Sequence, residues 1–476
     1  MINQTLKTRS ISSRLALFQS LAQLAPLPTL IFTIQEIVGY SNAATLSYLI
    51  AFVIILFSAN TVIQMGSRFP NAGGYYGYVA NGISRSTGVY SQFLFLFYQV
   101  INTAAVVIFG SWVLEIFLSL LGYSIRGFYL LFIPLIIIFI IPYFGIKLSS
   151  MFYSVTAVIE ILIVLSLAVI MLAHPASSSI LSAPLIPNVG ISKFGLSIIF
   201  SLFFFTGYGS ILTLAEETEN PKKSVPLMAL LSIIVIGLLE AFFIYASEIN
   251  WGTGVLGSFA SSTAFPTFLV ARNILGLIGL IIVGVFAYIS LVKGGIAIQN
   301  ATSRGLFALG RDNVLPRYLS IVHRKYGSPS GSIIINEILA LIIIAATYIS
   351  FYFGLHITSG MTADAAVFLI AVLTVGYLLT HILANISVPF YFVRKERNNL
   401  SVMKHFVFPL IATGAVVYAL YVSFIGLTGY MLALPVIVAI YLILALVFVL
   451  WLRSKHPEIM GKAGNVIKEI NEGENE

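Results

Sequence analysis

The residues able to do chemistry in this sequence are few, because most of it is apolar. Glu36, Glu115, Glu160, Glu240, Lys293 and Glu337 are the ionisable residues placed inside long hydrophobic stretches. A charge in hydrocarbon is costly, so such residues mark pathways, proton relays or buried pairs. Glu160 and Lys293 form an acid and a base that could meet, with Ser290 one helical turn before the lysine. Together they could hold and exchange a proton, and the alternative is a fixed ion pair. Glu36 and Glu115 fall near stretch ends, where an interfacial or gating role is expected. Glu240 and Glu337 are expected to be hydrogen-bonded structural groups.

A second chemistry comes from backbone rather than side chains. The first apolar stretch contains Ala25-Pro26-Leu27-Pro28-Thr29 near its middle, and the sixth contains Phe204-Phe205-Thr206-Gly207-Tyr208-Gly209-Ser210. A helix-interior proline removes a donor and clashes with the preceding turn, at about 3 kcal/mol or more. In a membrane such a break survives only where it lines a cavity or is buried in protein. The half-helix starting after a break presents N–H groups and a positive dipole end, which suits a carboxylate. The half-helix ending there presents carbonyls, which suit an ammonium or a metal cation. A zwitterion needs both. These twelve positions, together with Asn102, are the candidate substrate-binding set. Thr103, Thr374 and Tyr377 are further polar candidates for the cavity wall, and Phe204, Phe205 and Tyr208 could cap a substrate as an aromatic gate.

These groups need elements that hold them at mid-membrane. A spanning helix takes about 20 mostly apolar residues. Twelve stretches qualify, near 14–39, 43–66, 86–119, 127–146, 148–173, 194–217, 224–247, 273–306, 331–354, 363–391, 404–426 and 430–452. Their length and lack of alternating polarity indicate helices, so the fold class is an all-α polytopic membrane protein. If the amino terminus lies inside, 21 of the 25 Lys and Arg residues fall in inner segments, three in outer segments and Lys293 within a helix. That asymmetry is the expected one for inner loops and places both termini in the cytoplasm. The first stretch runs past residue 35, longer than a signal-peptide core, and reads as a retained spanning helix. The serine- and proline-rich stretch 174–192 reads as a packed outer loop, and the polar residues after about 454 as a cytosolic tail.

Composition agrees. The chain has 59% hydrophobic and 9% charged residues and a mean hydropathy of +1.01, against about 25% charged residues in soluble domains. The net charge of +8 lies in short gaps between apolar runs, with no basic domain, which excludes nucleic acid as a partner. There is no cysteine, which excludes disulfides, thiolate metal sites and thiol catalysis. Gly73-Gly74 lacks the Lys-Ser/Thr of a phosphate loop, and no His-Glu-x-x-His zinc pattern occurs. No cofactor or metal is expected. The six histidines sit mostly at helix ends or in loops, which argues against a membrane-embedded enzyme. A channel would call for rings of repeated polar residues. Neither explains breaks in the first and sixth segments, matching positions of two five-helix halves. Interrupted segments so placed point to the binding site of a secondary transporter.

Three motifs carry a family resemblance. They are Arg68-Phe-Pro-Asn-Ala-Gly-Gly-Tyr75, Phe205-Thr-Gly-Tyr-Gly-Ser-Ile-Leu-Thr-Leu-Ala-Glu-Glu-Thr-Glu-Asn-Pro-Lys-Lys-Ser-Val-Pro226 and Ser303-Arg-Gly-Leu-Phe-Ala-Leu-Gly-Arg-Asp-Asn-Val-Leu-Pro316. In order and spacing they resemble the amino acid–polyamine–organocation (APC) superfamily. The resemblance implies a leucine-transporter-like fold of five-plus-five inverted repeats and two further helices. On that plan, 1–13 is a cytosolic tail, 14–391 the transport core, 392–453 the last two helices and 454–476 a second tail. It also implies alternating-access transport of an amino acid or related amine, with a proton or sodium co-substrate or by exchange. In proton-coupled relatives a lysine stands near the sodium site of sodium-coupled ones. Here the fifth helix has Glu160, and Lys293 on the eighth would supply the cation. The Ala25-Pro26-Leu27-Pro28 break departs from the family's Gly-rich one, and Gly209 stands where an acid is common. With no acid in either break, a neutral amino acid is favoured over a polyamine, the alternative substrate of the same superfamily.

Overall fold

The computed structural model describes residues 6, 10–358, 360–425 and 427–464. Most of the amino-terminal tail and the carboxy-terminal tail beyond 464 lie outside the described residues. Among the described residues, eleven helices are long and apolar enough to cross a membrane. With one shorter apolar helix they make twelve spans: α1 (Ser13–Tyr40), α2 (Ala44–Gly66), α3 (Arg85–Leu120), α4 (Gly127–Tyr143), α5 (Ile146–Ala173), α6 (Ile191–Leu214), α7 (Pro221–Trp251), α8 (Pro266–Arg311), α9 (Ser330–Gly354), α10 (Met361–Lys395), α11 (Met403–Val422) and α12 (Gly429–Lys455). The short one is α4, whose 17 residues at 1.5 Å each reach about 26 Å of a hydrocarbon layer about 30 Å thick. Pro134 and Pro142 lie within it.

The expected order and number of apolar segments hold, with ends shifted by a few residues. The largest shift is in α8, which starts seven residues earlier than expected and carries a left-handed Gly276 (φ 67°) inside it. A short helix at Tyr75–Gly82 between α2 and α3 was not expected. It is mostly buried, and its tyrosines pack inward: Tyr75, Tyr76 and Tyr78 are among the largest fully buried side chains.

Helical spacing decides which residues face the interior. On α5, Tyr153, Ala157, Glu160, Val164, Ala168 and Met171 are buried at three- and four-residue steps, while Met151, Val155, Leu162 and Val169 are exposed on the other side. The exposed side is apolar, as a lipid-facing surface must be. Glu160 is therefore carried on the interior stripe. On α8 the carboxy-terminal part, residues 290–310, is buried on every side, so Ser290, Lys293 and Arg304 lie inside the protein.

Spans α1, α2, α6 and α7 pack on one another, and α3 packs along α8 and α10. Span α5 touches α1, α7 and α8. The interior between these groups is where the broken spans meet.

Candidate functional site

Span α1 is broken at one residue. Ser13–Leu24 and Pro26–Tyr40 are separate α-helices joined at Ala25, which is left-handed at φ 44° and ψ 66°. Pro26 and Pro28 do not unwind the chain. Pro26 is the first residue of the second half-helix, where its missing N–H costs nothing and its fixed φ suits the turn. The break thus lies between Leu24 and Pro26, and both prolines are buried inside the second half.

Span α6 unwinds over a longer stretch. Its α-helix ends at Leu202, and Phe203–Phe205 and Tyr208–Leu214 follow as 3-10 turns on either side of an extended Thr206 and a left-handed Gly207 at φ 119°. A Cβ at Gly207 would lie 2.6 Å from Cγ of Gln23, so only glycine allows the two breaks to abut. Ser20 Oγ donates to the Tyr208 carbonyl at 2.8 Å, and Ser210 Oγ to the Gln19 carbonyl at 3.4 Å. Gly294 of α8 approaches the same point, its Cβ position 3.4 Å from the Ala22 carbonyl and the Ala25 Cβ.

Between the breaks lies a cavity of about 100 Å³. Its wall includes Ala25, Pro28, Thr29, Asn102 and Thr206 from the expected set. Gln23 and Phe203, which the sequence reading passed over, also line it, with Phe32, Phe109 and Leu373. Gln23 Nε2 donates to Gln99 Oε1 at 3.1 Å. Gln23 Oε1, Gln99 Nε2 and Thr206 Oγ1 are buried without a hydrogen-bond partner. The signal for Gln23 was present in the sequence as a polar residue two places before the break. No charged residue is among those lining the cavity.

The remaining expected residues lie elsewhere. Phe204 and Phe205 do not cap the cavity. The 3-10 turn directs them towards α2, where both pack on Tyr48 at 5.2 and 5.4 Å and Phe205 also stacks on Phe52. Tyr208 faces Ser58 (3.2 Å) and His381, and Gly209 is pressed against Tyr75. Thr103 Oγ1 donates to the Gln99 carbonyl and accepts from Asn336, each at 3.1 Å. Thr374 bonds its own helix at the Ile370 carbonyl, and Tyr377 OH reaches the Phe205 carbonyl.

Glu160, Lys293 and Ser290 come together, fully buried. Lys293 Nζ donates to Glu160 Oε2, and Ser290 Oγ to Glu160 Oε1 at 2.5 Å. The same Oε1 accepts the Leu27 backbone N–H at 2.8 Å. This corrects the expectation that the N–H groups of the α1 break await a substrate carboxylate. Pro26 and Pro28 have no N–H, Thr29 N–H is spent on the Ala25 carbonyl, and Leu27 N–H is held by the protein's own Glu160. The start of the second half-helix is thus already neutralised by an acid.

The other intramembrane acids divide. Glu240 accepts from Tyr48 OH at 2.7 Å. Glu115 accepts the Gly127 N–H at 3.0 Å. Glu337 does not meet the expectation of a hydrogen-bonded group, since both its oxygens lack a partner.

On the amino-terminal face the three sequence motifs converge. Glu216 accepts from Ala72 N–H at 2.8 Å and from Arg311 at 2.8 Å. Arg304 pairs with Glu217, and Tyr76 OH donates to Asp312 at 2.9 Å. Ile11 and Thr218 form a parallel bridge through two backbone bonds, Ile11 N–H to the Glu217 carbonyl and Glu219 N–H to the Ile11 carbonyl. Residues between the cavity and this face, such as Gln19, Ser20 and Ser210, are fully buried. Those on the cavity wall or towards the other face, such as Thr29, Phe32, Phe203 and Gln35, are half-buried. The amino-terminal mouth is closed in this structure.

The family model described as amino acid permease matches residues 16–458. The chain belongs to the amino acid permease family. Three relatives show its breadth. The glutamate/serine transporter AimA of Bacillus subtilis (strain 168) is 26% identical over 321 residues, covering 63% of this chain and 59% of that protein. The low-affinity putrescine importer PlaP of Escherichia coli (strain K12) is 24% identical over 379 residues, 76% of each chain. The branched-chain amino acid permease BcaP of Bacillus subtilis (strain 168) is 24% identical over 303 residues, 60% of this chain and 63% of that one. The match thus spans less than two thirds of the length of two of these three. A permease with twelve apolar spans is a multi-pass membrane protein.

Proposed function

We propose that this permease is a secondary active transporter that carries a small neutral amino acid across the membrane by alternating access. The observation that carries this is the cavity between the two breaks. It is small beside the roughly 300–1,000 Å³ of drug-sized sites. It has no charged wall residue, and unspent amide and hydroxyl atoms of Gln23 and Thr206 border it. A zwitterion brings its own two charges and asks for polar atoms, whereas a polyamine dication would be left without a counter-charge. The substrate would lie against Ala25, Pro28, Thr29, Asn102, Gln23 and Thr206, with Phe32, Phe109 and Phe203 around its side chain. Among the relatives, AimA and BcaP are described as amino acid transporters and PlaP as a putrescine importer, so polyamine import is the second reading. The uncharged wall favours the first.

The Glu160–Lys293 pair is the coupling site of this reading. Lys293 supplies the ammonium charge where sodium stands in sodium-coupled relatives, and Ser290 steadies its partner. Glu160 also holds the Leu27 N–H, so a proton gained or lost at the pair changes the grip on the outer half of α1. Residues 14–391 form the ten-span transport core, 392–453 carry α11 and α12, and the basic inner loops favour cytoplasmic termini.

Counterflow into proteoliposomes tests the reading. Preloaded serine, alanine or branched-chain amino acids should accelerate uptake of their labelled counterparts, and putrescine should not. Acceleration by putrescine alone would reverse the substrate assignment. Consumption of substrate would indicate an enzyme, and non-saturable flux a channel.

A further inference from the structure

Span α7 carries two buried carboxylates, and their surroundings differ. Glu248 is saturated. It accepts Ala44 N–H at 3.1 Å, Thr45 N–H at 3.0 Å and Thr45 Oγ1 at 2.5 Å, and so caps the start of α2. Three donors at a helix amino terminus are what an ionised carboxylate needs. Glu240 lies eight residues earlier, about 12 Å along the helix. It is 0% exposed. One of its oxygens accepts from Tyr48 OH, and the other has no hydrogen-bond partner. No cation pairs with it among the ion pairs of the described residues.

A carboxylate with one bare oxygen and no counter-ion is not a stable anion inside a membrane protein; it takes up a proton instead. Tyr48 from α2 bonds Glu240 directly, and α7 packs along α5, whose Glu160 already holds Lys293 of α8. Two carboxylates therefore share one ammonium in this part of the interior. Lys293 compensates Glu160, and Glu240 is left over.

We propose that Glu240 is a proton-carrying residue of the transport cycle, which stores a proton beside the Glu160–Lys293 pair and exchanges it with that pair. This rests on the proton coupling argued above. The transfer is balanced. The Glu240 carboxyl loses its proton and becomes a carboxylate, held by the Tyr48 O–H. The proton passes by way of Glu160 to the neutral Lys293 amine, which becomes an ammonium. Glu160 ends in the charge state in which it began. The carboxylate left on Glu240 repels Glu160, which grips the α1 break at Leu27, so the proton's position is felt at the substrate site without Glu240 touching substrate.

The experiment is pH-gradient-driven amino acid accumulation in proteoliposomes by the full chain and by Glu240→Gln, which fixes the neutral form. The expected result is that Glu240→Gln no longer responds to the gradient, a loss of tenfold or more in driven accumulation, while the purified variant still shows an amino-acid-induced thermal shift. Glu240→Asp should restore part of the response. Unchanged accumulation by Glu240→Gln across the pH range would overturn the proposal. Should that variant fail to fold, Tyr48→Phe decides. It removes the donor that stabilises the anion, so the pH profile of uptake should move up by about one unit; an unmoved profile counts against Glu240. If the unmodified protein ignores the gradient, the coupling at the pair and the role of Glu240 fall together. If it responds, and Lys293→Ala abolishes the response while Glu240→Gln does not, the pair stands and Glu240 alone is wrong.

Discussion

The two broken spans solve the same problem by different means. In α1 the interruption is a single left-handed alanine between two intact α-helices, and the N–H freed by it is taken by Glu160, an acid from another span. In α6 the interruption is spread over about three turns of 3-10 winding around Gly207, and a freed carbonyl is satisfied by Ser20 of α1. One break is stabilised by charge and the other by small size and local rewinding. The difference assigns them different sensitivities. On the proposed coupling, α1 answers to protonation of the pair and α6 to shape.

Lys293→Ala should act most strongly on the charged side of this comparison. It leaves Glu160 buried without its counter-ion, a loss of about 3–5 kcal/mol for a broken buried pair. A drop in apparent melting temperature together with loss of proton-driven uptake is expected, and retention of full proton-dependent uptake would break the assignment. The double variant Glu160→Gln/Lys293→Met should recover much of the stability and none of the proton dependence. Gly207→Ala tests the other break. A left-handed conformation costs an alanine about 1–2 kcal/mol, and its Cβ must also displace Gln23. Transport should fall at every pH alike, and a pH-selective loss would merge the two breaks into one mechanism. Ser20→Ala removes the bond to the Tyr208 carbonyl and should cost about 1 kcal/mol in thermal stability.

The smallest effect is expected at Ala25→Gly. Glycine relieves the left-handed alanine but gains freedom in the unfolded chain, so stability should stay within about 1 kcal/mol. A large loss would show that the alanine methyl at the cavity wall, rather than the Glu160 cap, shapes this break. A surface pair gives the control for pH work. Glu396 is bound by Arg68 through two bonds of 2.7 Å, and the guanidinium holds its carboxyl down at about 2. A depressed carboxyl contributes its stability above its unfolded value near 4.5 and loses it only as pH falls towards about 2. Arg68→Ala should therefore leave the pH profile of uptake in place and lower thermal stability modestly at neutral pH, with the difference from the unmodified protein vanishing as pH falls towards about 2, as read by thermal unfolding at both pH values.

Much of this was legible in the sequence. Helix number and order follow from the length of apolar runs, and the candidate site from two interruptions at matching ordinals. Glu160 and Lys293 could be singled out because charge is expensive in hydrocarbon. Direction was harder to read. Apolar segments with interior on one side and lipid on the other have no polar face to fix their rotation. That is why Phe204 and Phe205 were assigned to the cavity and their neighbour Phe203 was not. A 3-10 turn advances each residue by about 120° rather than 100°, so the error grows through the unwound stretch. Gln23 and Gln99 were missed because a neutral amide carries no energetic alarm in a sequence, although buried in pairs it borders the site. The cap on Leu27 was invisible because it joins residues 133 positions apart.

The strand-like bridge between Ile11 and Thr218 bears on how fast the molecule can change state. It closes the amino-terminal mouth with two backbone bonds, each worth about 0.5–1.5 kcal/mol net. If that bridge were the whole latch, thermal agitation would leave the mouth ajar in a few molecules per hundred with no substrate present, within the range of minor states that ligands select. The Arg304–Glu217 pair beside it adds a charged contact to the same closure and lowers that fraction further.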